Sequence, residues 1–85
     1  MKTGEVKTSS AHSLDQLSLG SECCIKSIDE ANPSAARLFS LGFLPGQMLR
    51  LARVAPLGDP IAVDVRGQRI GLRREEARAI RVGSE

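Results

Sequence analysis

Residues 38–51 read LFSLGFLPGQMLRL, and they join the end of a predicted helix to the start of a predicted strand. Gly42 and the pair Pro45–Gly46 interrupt the segment with residues that are typical of turns. Between them lie Phe43 and Leu44, although a connecting segment usually carries polar residues at such positions. Apolar side chains in a turn need a cover, so either the core of this protein or another molecule buries them.

A helix is predicted immediately before this turn, over NPSAARLFSLG at residues 32–42. Asn32 can cap the helix, Pro33 suits its first position, and Gly42 ends it. The predicted buried face contains Ala36 and Phe39, and Leu38 and Leu41 are further candidates for it.

The remaining segments alternate between apolar and polar residues, as half-buried strands do. Five short strands are predicted, at residues 21–29, 47–55, 61–65, 68–72 and 80–82. The alternation places Cys23 and Ile25 on one face of the first strand, opposite Cys24, Lys26 and Ile28. In the second strand it places Leu49 and Leu51 on one face, opposite Met48, Arg50, Ala52 and Val54.

Turn residues separate these strands and set the architecture. PLGDP at residues 56–60 forms one turn, Arg66–Gly67 forms a tight hairpin turn, and single helical turns are predicted within 13–20 and at 75–77. This order favours a mainly β fold, a small SH3-like antiparallel barrel of five strands with one inserted α-helix and short helical turns. We expect one domain over residues 13–85 after a flexible tail, residues 1–12, and a flat α+β sheet is the alternative.

Composition argues against several classes of function. The net charge is only +2, and Phe39 and Phe43 are the only aromatic residues, so neither phosphate contacts nor base stacking favour nucleic-acid binding. A groove for proline-rich peptides would need Tyr or Trp side chains, which the sequence lacks. No apolar run approaches the roughly 20 residues of a membrane span, and no secretory signal is recognisable, so we expect a cytoplasmic protein without direct membrane insertion.

Few residues in the sequence are candidates for catalysis or metal binding. Cys23 and Cys24 are adjacent, so on a strand one thiol faces the core, the other faces outward, and both are expected to be free. The single histidine, His12, belongs to the predicted tail, which leaves no preorganised pair for nucleophilic catalysis and no ligand spacing of a structural zinc site. We predict no enzyme activity and no cofactor. Divalent ions bridging His12, an outward cysteine and carboxylates in a weak homodimer stay an open alternative.

Four segments occur in order with close spacing: RLFSLGFLPG, APLGDP, VRGQRIGLRREEA, and the pair Ile80 and Val82. Together they resemble the family of ferrous iron transport protein A, the FeoA family, over residues 14–82. The resemblance implies an SH3-like barrel and a small cytoplasmic accessory protein that promotes ferrous iron uptake. Its implied partner is a large membrane iron permease with a cytoplasmic G-protein domain. The alternative function is a small metal-binding protein that itself handles iron or another divalent metal.

The residues predicted to bind the partner come from the turns of these segments. They are Leu41, Gly42, Phe43, Leu44, Pro45, Gly46, Pro56, Gly58, Asp59 and Arg66.

For three of these features a purely structural explanation competes with a role in binding. Phe43 either docks a partner or plugs the barrel, whereas Leu44 is the stronger candidate for exposure. Asp59 either caps its own turn or offers its carboxylate to a partner. A basic rim of Arg66, Arg69, Arg73 and Arg74 either meets an acidic surface or forms a solvated face balanced by Glu75 and Glu76.

Overall fold

The computed structural model describes residues 12–83. Its strands are β1 (His12–Ser13), β2 (Glu22–Ile28), β3 (Met48–Val54), β4 (Ile61–Val65), β5 (Gln68–Leu72) and β6 (Ile80–Gly83). The helices are α1 (Ala35–Leu41) and α2 (Arg74–Ala77), and one 3₁₀ turn covers Leu14–Gln16. No helix within this range is long and apolar enough to cross a membrane.

All strand pairs are antiparallel, in the spatial order β1-β6-β2-β3-β4-β5, which confirms the mainly β prediction. The sheet has six strands rather than five, because His12 and Ser13 pair with Val82 and Arg81. A two-residue strand carries too little alternation to be recognised in a sequence. His12 therefore lies in the sheet and not in the tail, and the rest of the predicted tail lies outside the described residues. Between residues 12 and 83 no pairing joins β1 to β5, so the sheet stays open rather than closed.

Two β-bulges correct the predicted faces of the strands. The pairing of β2 with β6 shifts between Ile25 and Ser27, so Lys26 and Ser27 are both exposed and Ile28 returns to the core. The pairing of β3 with β4 shifts between Leu51 and Arg53 in the same way, and Val54 packs against the core. A bulge inserts one extra residue into a strand, so the simple alternation predicted from the sequence is wrong beyond it.

The helix α1 also differs from its prediction. It begins at Ala35, with Ser34 in the capping position, because Asn32 instead closes a turn in which its side-chain oxygen accepts the Ser34 N–H at 2.8 Å. Ala35 and Leu38 are buried, whereas Ala36 and Phe39 are exposed, so the predicted inner face is wrong by one position. The spacing of apolar residues allowed both faces, and packing against the sheet selected the one with Leu38.

The core is almost entirely aliphatic, with Phe43 as its one aromatic side chain. Residues from every long strand, from both helices and from the 3₁₀ turn contribute to it. The side chains without exposed surface include Phe43, Leu14, Leu38, Val63, Ile80 and Val82. Cys23 is buried and Cys24 half-buried, and both are free thiols, which confirms the prediction for this pair.

Candidate protein-docking surface

Backbone hydrogen bonds fix the loop between α1 and β3 at both ends. Gly42 takes a left-handed conformation with φ 101° and ends the helix, and the N–H of Phe43 donates to the carbonyl of Leu38 at 3.1 Å. At the other end the N–H of Gly46 donates to the carbonyl of Ile25 on β2 at 2.8 Å. Any side chain that this loop presents to solvent is therefore held in a defined place.

Phe43 and Leu44 differ in their exposure to solvent, although they are neighbours in this loop. Phe43 has no exposed surface, so it belongs to the core and, contrary to the prediction, is not available to contact a partner. Leu44 is 45% exposed, as expected, and its N–H donates to the side-chain oxygen of Gln47 at 3.2 Å. The two neighbouring side chains therefore lie on opposite sides of the loop, one toward the core and one toward solvent.

Leu44 is one of several exposed or half-buried apolar side chains on the α1–β3 loop and the strands beside it. The carbonyl of Leu44 accepts the N–H of Gln47, and the next residue along the chain, Met48, is 51% exposed. Cys24 lies directly opposite Met48 across β2 and β3, at a pair without mutual backbone hydrogen bonds, where side chains are closest. We call Leu44, Met48 and Cys24 the loop patch. The sequence already indicated that Met48 is exposed, because the alternation of the strand placed it on the face opposite Leu49 and Leu51.

A cleft adjoins the end of α1 and brings several predicted residues together. Leu41 and Gly42 line one wall, and Arg66 and Gln68 of the β4–β5 hairpin line the other. Arg66 adopts φ 53° in the tight turn, its side chain is exposed, and it makes no ion pair with any residue between 12 and 83. Arg66 therefore brings one cationic group without an ion pair between residues 12 and 83 to this cleft.

The other predicted residues, Pro56, Gly58 and Asp59, lie at the opposite end of β3. Seven residues of strand separate them from the α1–β3 loop, which corresponds to roughly 20 Å. The structure therefore divides the predicted set into two surfaces. Beside the second surface Leu57 is 96% exposed, and no pattern in the sequence distinguished it from the other leucines.

Asp59 caps a helix rather than its own turn. Its Oδ1 accepts the backbone N–H of Arg74, the first residue of α2, at 3.1 Å. Arg74 in turn donates its Nε–H to the carbonyl of Gly58 and an Nη1–H to the carbonyl of Asp15, the latter at 2.6 Å. The carboxylate and the arginine together join the β3–β4 turn to α2 and the 3₁₀ turn, which corrects the prediction for both residues.

The predicted basic rim is not a continuous cationic surface. Arg69 donates to both oxygens of Asp64, at 2.8 and 3.1 Å, and Arg50 approaches the same carboxylate at 3.4 Å. Hydrogen bonding by Arg69 lowers the pKa of the Asp64 carboxyl below its ordinary value, and Arg50 adds to this effect. Because Arg74 is also engaged, only Arg66 and Arg73 of the rim lack an anionic or structural side-chain partner between residues 12 and 83.

Metal-ligating side chains do not converge in the described part of the chain, where no three His, Cys, Asp or Glu residues are grouped. His12 pairs with Val82, which in turn pairs with Ile25, so His12 lies on the core side of the sheet. Cys24 is the neighbour of Ile25 and points to the opposite face. Within one chain His12 and Cys24 therefore cannot share a metal ion.

One family model and several solved structures are similar to this chain. The family model of the FeoA domain matches residues 12–83. Among solved structures, the FeoA-like protein from Clostridium acetobutylicum is 27% identical with a TM-score of 0.83, and the match covers 88% of this chain and 87% of that one. The FeoA protein from Chlorobium tepidum is 38% identical with a TM-score of 0.75, and the match covers 85% of this chain and 69% of that one.

A third structure bears on the type of fold. The FeoA of Stenotrophomonas maltophilia in complex with zinc is 32% identical, with a TM-score of 0.74, and the match covers 85% of this chain and 89% of that one. It is described as a procaryotic SH3 domain protein. The SH3-like architecture predicted from the sequence is therefore confirmed.

Proposed function

Because the chain belongs to the FeoA family, we propose that it is a cytoplasmic accessory protein of ferrous iron uptake that binds the membrane iron permease and promotes transport. A role as a ferrous iron transport activating factor has been suggested for the relative from Stenotrophomonas maltophilia. The proposed activity is binding, not catalysis, and the proposed target is the cytoplasmic G-protein domain of the permease.

The loop patch is the proposed contact surface, and the exposure of Leu44 is the observation that carries this assignment. Leu44 and Met48 leave about half of their surfaces in solvent, on a loop that backbone hydrogen bonds hold in place. A rigid loop loses little conformational entropy when it binds, so its apolar side chains contribute most of their burial to affinity. Charged residues are depleted at the centre of protein interfaces, as in this patch.

Arg66 supplies a cationic group beside this apolar surface. It lines the cleft next to Leu41 and Gly42 and has no ion pair with any residue between 12 and 83. A rim charge of this kind guides association and selects the orientation of the partner. We therefore expect a partner surface with an apolar depression for Leu44 and an acidic side chain close to it.

The test compares capture of the full-length permease by the wild-type protein and by two matched variants. Leu44→Asp introduces a charge into the loop patch, and Leu57→Asp introduces the same charge at the far end of β3, at a residue that is 96% exposed. We expect Leu44→Asp to weaken binding about tenfold or more, as for an anchor residue of an interface, and Leu57→Asp to leave it unchanged.

Melting curves of both variants exclude a trivial loss of folding. Retained binding by Leu44→Asp together with lost binding by Leu57→Asp would move the contact to the β3–β4 turn. If both variants bind the permease as well as the wild type does, neither surface makes the contact. A wild-type protein that captures no permease would contradict the proposed function itself.

A further inference from the structure

The outer edge of β5 carries backbone groups without a strand partner. β5 pairs with β4 alone, and the two-residue turn Arg66–Gly67 sets Val65 opposite Gln68. Such a turn closes on a hydrogen-bonded pair, and hydrogen-bonded pairs alternate along an antiparallel ladder. The backbone groups of Gln68, Ile70 and Leu72 therefore bond to β4, whereas those of Arg69 and Gly71 point away from the sheet. No other strand between residues 12 and 83 receives them.

Gly71 lies in the middle of this edge, and its own chain gives no reason for a glycine there. It is exposed, and its φ lies outside the positive range that favours glycine. A Cβ atom at this position would meet only the carbonyl oxygen of Ile61, at 3.9 Å, which is ordinary contact. A glycine inside a strand weakens the strand and often marks a place where another backbone approaches closely.

We propose that β5 pairs in antiparallel orientation with β5 of a second copy of this chain, about a twofold axis at Ile70. Arg69 of each copy then lies opposite Gly71 of the other, and the two residues exchange backbone hydrogen bonds. The two Ile70 side chains meet across the axis. Such an interface is self-complementary, as twofold symmetry requires, and joins the two sheets into one.

Charge and hydrogen bonding select this register among the neighbouring ones. The free backbone groups of one copy must lie opposite the free backbone groups of the other copy to form hydrogen bonds. This happens only when the twofold axis passes at Arg69, Ile70 or Gly71. If the twofold axis passes at Arg69, the Arg69 side chains of the two copies face each other directly. If the axis passes at Gly71, Arg69 of one copy faces Arg73 of the other. Both arrangements place like charges opposite each other, which is destabilising. A centre at Ile70 opposes Arg69 with a residue that has no side chain, and it brings two half-buried apolar side chains together.

The proposed pairing is independent of permease binding. It uses five residues of one strand, so the buried area falls in the class of small, transient interfaces. We therefore expect a weak dimer in reversible equilibrium with the monomer. The sequence left a weak homodimer open, and the β5 edge gives it a defined geometry that needs no metal ion.

A matched pair of charge substitutions tests both the edge and its register. Gly71→Asp places a carboxylate opposite Arg69 of the second copy, and Gly71→Lys places an ammonium group there, so the two variants carry charges of opposite sign at the same position. Two such contacts form per dimer by symmetry. We expect the dimer dissociation constant in sedimentation equilibrium to fall about two- to thirtyfold in Gly71→Asp and to rise by a similar factor in Gly71→Lys.

A second measurement uses the unmodified protein. The backbone amide resonances of Arg69 and Gly71 should shift as the protein concentration increases to about 1 mM, whereas those of the loop patch should not. Wild-type protein that stays monomeric over this range would overturn the proposal, and this is the result expected if a strand of a different protein occupies the edge. Changes of the same sign in both variants, or concentration-dependent shifts confined to other strands, would overturn it as well.

Discussion

Phe43 and Leu44 are consecutive in the chain, yet Phe43 is completely buried and Leu44 is 45% exposed. The Phe43 N–H is bonded to Leu38 and the Gly46 N–H to Ile25, so the loop cannot rotate to exchange the two side chains. Phe43 anchors the loop to the core, and the anchored loop holds Leu44 in solvent. Mutations of these two neighbouring residues can therefore separate the stability of the fold from the proposed partner binding.

The first prediction concerns this anchor. Phe43→Ala should lower the free energy of unfolding by about 3–5 kcal/mol, because it removes a fully buried aromatic side chain and leaves a cavity. Urea unfolding followed by circular dichroism measures the loss. Phe39→Ala is the matched control on the exposed face of α1, with an expected cost of about 1 kcal/mol or less. Equal costs for the two variants would contradict the complete burial of Phe43.

The second prediction concerns the cap of α2. Asp59→Ala should lower the free energy of unfolding by about 0.5–2 kcal/mol, because the N–H of Arg74 loses its acceptor at the start of the helix. Asp59→Asn keeps an oxygen in the same position and should retain most of the stability. Thermal melting measures both, and a loss of permease binding in Asp59→Asn at unchanged melting temperature would show that the carboxylate serves the partner instead.

The third prediction is a pH dependence of stability that arises from Asp64. The Arg69 guanidinium, with help from Arg50, holds the pKa of this carboxyl below its value in the unfolded chain. A depressed pKa means that the folded state binds the proton less readily, so the stabilisation is complete above the unfolded pKa, about 3.9. It is lost as the pH falls through the lower pKa of the folded state.

Melting temperatures of the wild type and of Asp64→Asn between about pH 7 and pH 2 measure this effect. The wild type should be the more stable protein at neutral pH, and the difference should shrink as the solution becomes acidic. Glu22→Gln is the control, because this carboxylate on the same face makes no ion pair between residues 12 and 83. A constant difference at every pH would contradict the role assigned to Asp64.

The fourth prediction separates the two thiols. Burial, together with the neighbouring Cys24, raises the pKa of the Cys23 thiol, and a protonated buried thiol reacts slowly. In the native protein a thiol reagent should modify one cysteine, Cys24, and in denaturant it should modify both. Mass spectrometry identifies the modified residue, and Cys24→Ser should leave no rapidly reacting thiol in the folded state. Rapid native modification of Cys23 would contradict the inward orientation of its side chain.

Much of the fold follows from local features of the sequence. Gly42 ends α1 where expected, the Arg66–Gly67 turn forms the predicted hairpin, and the alternation of β3 holds as far as Leu51. These predictions succeed because turn geometry and alternation depend on residues close in the chain. The FeoA resemblance is confirmed for a related reason, since its segments preserve the order and spacing of these turns.

The candidate site was predicted less completely. Leu44 was correctly expected to be exposed, but Met48 and Cys24 join it only because β2 and β3 pair in one register. Asp59 was expected either to cap its own turn or to bind a partner, whereas its carboxylate accepts the N–H of Arg74, fifteen residues further along the chain. No pattern in the sequence indicates which distant N–H a carboxylate will find.

The sequence alone therefore determined the elements other than β1, their order, the turns and the family, because each depends on short-range conformational preferences or on motif spacing. The tertiary structure decided which face of each element is buried. The bulges that return Ile28 and Val54 to the core arise from pairing between strands, and the choice of Phe43 over Phe39 as the buried aromatic residue arises from packing of α1 on the sheet. These choices depend on contacts between segments distant in the chain, where the free energy of filling one shared core outweighs local periodicity.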